Sequence, residues 1–179
     1  RRDAASVAVV ARMLGGADPA IVGPDIRKTD KAVNKAERSV RRELVVHVSV
    51  RGATADIPLV LASMSIVKDA ERIGDYAKNI WDLAAEGIDL SGAEDIDRLI
   101  EYRDRTSRLI AQAARVFGER DTAAAHRILE EADDLLDEYD AQVVVQIHSG
   151  QPAGHAVPRA LLYRYLKRIT AHLMNVLTS

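Results

Sequence analysis

Two rows of oxygen-bearing side chains stand at spacings that could do chemistry. Glu71 and Asp75 are four residues apart, and Asn79 lies four further on. On a helix, that spacing stacks all three along one face. Asp30, Asn34 and Glu37 form a second row, at steps of four and three. If the two helices pack antiparallel, the rows face a common groove. Four carboxylates and two amides are hard donors suited to divalent or ferric ions, with Fe, Mg, Mn and Zn all candidates. Crowded carboxylates repel one another, and a multivalent cation removes that repulsion. A plainer reading stands beside this one. Lys68 lies three residues before Glu71 and Lys78 three after Asp75, so both acids have intrahelical partners worth a few tenths of a kcal/mol each. At roughly 100° per residue, Glu71, Asp75 and Asp82 also lie opposite Ile73, which directs the row away from its own helix's apolar stripe.

Asp133 and Asp137 make a weaker four-apart pair, flanked by Asp134 and Glu138, and a solvated face is the simpler account of them. His47, His126, His148, His155 and His172 do not assemble into a recognisable site, since neither His-Glu-x-x-His nor Glu-x-x-His occurs. No nucleophile elbow and no glycine-rich phosphate cradle is present. A carboxylate-bridged metalloenzyme would need an open metal position and a cleft that excludes water. An outward-facing acid row argues against that, and the expectation is of a protein that is not an enzyme. Arg38, Arg41 and Arg42 form a short basic patch. Its plain reading is a solvated face, with contact to an acidic partner or a membrane surface as the alternative.

These rows must be carried by helices. The chain has 179 residues, 47% of them hydrophobic but only 4% aromatic, so its core is built of Ala, Leu, Ile and Val. That mixture favours helix over strand. Lys and Arg total 25 against 27 Asp and Glu, which gives no general attraction to nucleic acid. Without cysteine there are no disulfides or thiolate sites, which fits a cytoplasmic protein. No apolar run is long enough to span a bilayer. Arg1-Arg2 opens the chain in helical register without Met, as in a chain that has lost its beginning.

Glycine and proline divide the sequence into six predicted helices. The first runs from Arg2 to Leu14 and the second from Asp25 to Val50, after a break at Gly23-Pro24, with Val33, Ala36, Val40, Leu44 and His47 inward. Asp56 caps the third, with Pro58 in its first turn and Gly87 at its end. Its stripe starts at Ile57, Val60 and Leu61 and continues through Trp81, read as a buried anchor, to Ala84. Ser91 and Glu94 form a capping box for the fourth, which ends near Phe117. The fifth starts near Asp121 and carries apolar residues to Ile147, and the sixth starts near Pro158.

The third and sixth helices echo each other. Arg72-Ile73 and Asn79 recur as Arg168-Ile169 and Asn175 at the same offsets. Asp30 to Asn34 is echoed by Asp133 to Asp137 in the middle helix of each triplet. The pattern is that of a duplicated unit, residues 1–87 and 88–179: an all-α fold of two tandem antiparallel three-helix bundles.

Glu71-Arg72-Ile73-Gly74-Asp75 followed by Asn79 resembles the signature of the PhoU family of phosphate-uptake regulators, and Asp30, Val33, Asn34 and Glu37 resemble its partner motif. The resemblance implies paired three-helix bundles that bind multinuclear metal clusters on acidic motifs. It also implies a non-enzymatic regulator of phosphate transport and phosphate-starvation signalling, cytoplasmic or peripheral to the inner membrane face. Its implied partners are a phosphate ABC transporter or a phosphate sensor kinase; a homodimer is a separate expectation, and the even charge balance sets nucleic acid aside as a partner. A variant makes the chain the cytosolic tail of a sodium–phosphate symporter. The family pattern would place acids where Lys167 and Ala171 stand, so the second unit's site, with Asp133 and Asp137, is expected to be the poorer one, and Lys167 is a candidate partner for either aspartate.

Overall fold

The computed structural model describes residues 19–90 and 92–179. Five α-helices follow in order: α1 (Pro19–Arg51), α2 (Ile57–Ala85), α3 (Ile96–Glu119), α4 (Thr122–Ile147) and α5 (Ala153–Thr178). A 3-10 turn, Gly52–Thr54, joins the first two. The described residues contain no strand, so the all-helical class holds, and the β-branched stretch from Leu44 to Val50 is helix. Five helices stand where six were expected. The first predicted one, Arg2 to Leu14, lies outside the described residues.

Local chemistry explains most of the boundaries. Asp56 accepts a hydrogen bond from the Leu59 N–H at 3.1 Å, and Asp121 from Ala124 at 2.9 Å, so each satisfies one of the free donors at a helix start. Gly87 takes a φ of +86° just beyond α2, a conformation that favours glycine.

Three boundaries differ from expectation. α1 runs straight through Gly23-Pro24. A proline this near a helix start removes one backbone bond. Gly23 is required for another reason, since a Cβ there would sit 2.6 Å from the Trp81 ring. α3 starts at Ile96, beyond Glu94 of the expected capping box, whose Ser91 lies outside the described residues. Asp95 precedes it without capping it, because its carboxylate is held by Arg159. α5 starts at Ala153, so Pro158 lies buried inside it.

α1 packs on α2, α2 on α5, and α5 on both α4 and α3, which also touch each other. Ile73, Ala77 and Ile80 of α2 join Leu99, Leu109, Leu135, Tyr139, Leu162 and Leu166 in one core. Trp81 is buried as expected. Several positions assigned to the interior are not there. Ile57, Leu61, Phe117 and Ile147 are exposed, as are Ala36 and His47. Ile57, Phe117 and Ile147 sit at helix ends, where an apolar stripe outruns its neighbours.

Candidate functional site

α1 and α2 run antiparallel, because their contacts descend on one helix as they rise on the other. Trp81 meets Gly23, Asp75 senses the charge of Asp30, and Gly74 approaches Val33. The same descent puts Glu71 at the level of Asn34 and Glu37. The two oxygen-bearing rows therefore share one helix interface. Gly74 lies within that interface, next to Asp75 in sequence, and a Cβ there would meet Val33 at 3.9 Å, ordinary contact.

The row does not point outward as the helical angles suggested. The side chain of Glu71 is only 11% exposed and Glu37 is buried, whereas Asp82, 45% exposed, is the member that faces solvent. Most of the acids have local partners. Lys68 pairs with Glu71 at 2.6 Å, as its spacing suggested, and Arg41 with Glu37 at 2.9 Å. Asn34 Nδ2 donates to Asp30 at 3.2 Å. Lys78 pairs with Asp82 and not with Asp75. Asp75 is thus left half-buried, with no ion pair or hydrogen bond among the described residues. Burial raises its carboxyl above the ordinary value, and the charges of Glu71 and Asp30 raise it further, against the opposing pull of Lys68 and Arg72. No three His, Asp or Glu side chains among the described residues converge closely enough to hold an ion. Asn79 is half-buried further along α2.

In the second unit, Asp133 and Asp137 are exposed on α4, as is Asp134. Lys167 pairs with Asp140 and with neither candidate aspartate.

A polar cluster that sequence reasoning missed joins α2 to α5. Asp69 is buried, and its carboxylate lies 2.7 Å from His172 Nδ1 and accepts a bond from Asn175 Nδ2 at 3.2 Å. The His172 ring stacks on Tyr76 at 5.7 Å between centroids. Arg168 lies over the same tyrosine ring and donates to its hydroxyl at 3.2 Å. Arg168 and Asn175 are the residues that echo Arg72 and Asn79, and that repeat was the available signal. Nothing in the sequence singled out Asp69.

None of this assembles a nucleophile beside a base. The geometry belongs to a helical protein whose acids and amides line the seam between two helices. The family model of the PhoU domain matches residues 9–84, a span that contains both oxygen-bearing rows. Residues 9–84 are thus similar to the PhoU domain, the likeness that the Glu71 to Asn79 motif indicated. Two relatives extend the likeness over most of the chain. One, the phosphate-specific transport system accessory protein PhoU homolog of Synechocystis sp., is 24% identical over 156 residues, covering 84% of this chain and 69% of the relative. Its namesake from Deinococcus radiodurans is 23% identical over 160 residues, covering 85% and 74%. No solved structure matches the chain. No described helix is long and apolar enough to cross a membrane.

Proposed function

We propose that this protein is a non-enzymatic regulator of phosphate transport and phosphate-starvation signalling. It works in the cytoplasm, at or near the membrane, by docking on a phosphate transporter or its sensor kinase. Both relatives are named as accessory proteins of phosphate-specific transport, which supports the transport assignment. Metal binding to the α1/α2 seam is the finer part of the reading. Asp75 carries it: a half-buried carboxylate without a described partner, raised by burial and by the charges of Glu71 and Asp30. A cation there replaces repulsion with attraction. Asn34, Glu37 and Asn79 are the further donors within the same domain, after shifts of side chains that now hold one another. The Asp133/Asp137 face is the poorer site, with Lys167 and Ala171 on the helix that would complete it.

The test is calorimetric titration with Mg²⁺, Mn²⁺, Zn²⁺ and Fe³⁺, wild type beside Glu71→Ala/Asp75→Ala, together with a pull-down on the transporter and kinase. The wild type should bind, and bind more tightly at pH 7 than at pH 5, because the ligands must ionise. The double variant should fold and lose both metal and partner. A wild type that takes up none of these ions ends the metal reading. A double variant that still captures its partner at full strength removes the seam from docking.

A further inference from the structure

The outward face of α1 carries Lys28, Lys31, Lys35, Arg38 and Arg42, all exposed and all at three- or four-residue steps. They form one straight stripe along the helix. The acids of α1 lie elsewhere: Asp30 and Glu37 turn toward α2, and Asp25 and Glu43 sit on the flank. Among the described residues no carboxylate pairs with Lys28, Lys31, Lys35 or Arg42, and Arg38 donates only to the Asn34 carbonyl. The stripe ends in an exposed apolar group, Val45, Val46 and Val50.

The outward face of α4 is its electrostatic counterpart. Glu130, Asp133, Asp137 and Asp140 are exposed at steps of three, four and three, the same steps that separate Lys28, Lys31, Lys35 and Arg38. Only Asp140 is already engaged, by Lys167. This stripe also ends in exposed apolar residues, Val144, Val145 and Ile147. Within one chain the two faces never meet, since α1 packs on α2 while α4 packs on α5 and α3.

We propose that these faces are made for each other across two copies of the chain, with the α1 stripe of one molecule lying along the α4 stripe of another. Equal spacing lets each cation meet an acid, whichever way the helices run. Only the parallel sense also brings the two apolar ends together, so the helices run parallel. The contact joins two different patches, making it heterologous. Its strength comes from exposed charges, so it is weak and sensitive to salt. An anionic membrane would explain the basic stripe alone. It leaves the matching acidic stripe, with its own apolar end, without a purpose. The proposal does not depend on metal binding or on phosphate signalling.

The experiment is sedimentation equilibrium on the full chain at about 50 and about 500 mM NaCl, where screening lengths differ about threefold. Wild type is compared with Lys31→Glu/Lys35→Glu, with Asp133→Lys/Asp137→Lys, and with a mixture of the two variants. Wild type should self-associate at low salt and weaken about tenfold or more at high salt. Each variant alone should be monomeric, and the mixture should associate again, because opposite stripes are restored between unlike chains. The chain has no native cysteine, so Val45→Cys/Ile147→Cys should cross-link between copies on oxidation. Wild type that stays monomeric at low salt overturns the proposal, as does a mixture that fails to associate while both variants retain wild-type helicity. Vesicles of phosphatidylglycerol and phosphatidylcholine test the other source. If the α1 variant alone loses vesicle binding and no self-association exists, the stripe is a membrane face and the proposal fails.

Discussion

At the scale of single residues, Asp75 is a charge held in an unfavourable place. Burial, then Glu71 and Asp30, raise its carboxyl above the unfolded value. The folded state therefore keeps its proton to higher pH. Stability linked to that proton is fully present below the unfolded value and is lost as pH rises through the folded one. At pH 7 the ionised group opposes folding, and an amide of the same shape should not. Asp75→Asn is expected to raise the melting temperature of metal-free protein at pH 7 by about 1–3 °C, with the gain shrinking toward pH 4. Melts across that range check it, and a lower melting temperature at pH 7 would mean that the carboxylate is structurally required. The sequence put Asp75 in a row with Glu71. It could not show that the row faces α1, because an apolar stripe fixes a helix's inward direction only when one neighbour dominates. α2 has two, α1 and α5.

At the scale of elements, the helix ends show what sequence reading can and cannot reach. Asp56 and Asp121 were legible because a side-chain cap is a local bond between residues three apart. The start of α3 was not, because Asp95 spends its carboxylate on Arg159, 64 residues away. Burial alone would raise the Asp95 carboxyl, but the guanidinium overrides it and holds it below the ordinary value. Its stabilising effect is present above the unfolded value and is lost as pH falls through the folded one. Asp95→Ala leaves the buried Arg159 without its carboxylate, and should cost about 3 kcal/mol at pH 7, less as the pH falls below about 4. Denaturant titration at the two pH values measures this. Gly23 was read as punctuation and proves to be a clearance. Gly23→Ala gains about 1 kcal/mol of helix propensity but drives a methyl group into the Trp81 ring. The net effect expected is a loss of about 1–2 kcal/mol, and Gly23→Ala combined with Trp81→Leu should recover part of it.

For the molecule as a whole, the helix class and the antiparallel pairing of α1 with α2 followed from short links and periodicity. The α2–α5 cluster around Asp69 and His172 did not, because its partners are 103 residues apart and no local pattern joins them. That cluster, and the apolar core beneath it, tie α2 to the helices that follow. α1 has no such tie. Among the described residues it leans on α2 alone, across a seam that holds several carboxylates, while α2 is gripped on its other side by α5. Cooperative structure is therefore unevenly distributed along the chain. Amide protons of α1 should exchange with solvent through local openings that leave α3, α4 and α5 closed, whereas those of α5 should exchange only when the whole protein opens. Hydrogen–deuterium exchange followed by mass spectrometry would separate the two. Equal protection in α1 and α5 would mean that α1 opens only with the rest. A helix free to lift away while its neighbours stay assembled gives this molecule a part that can be exchanged, and a binding event at the seam or on its outer face would register first as a slowing of that exchange.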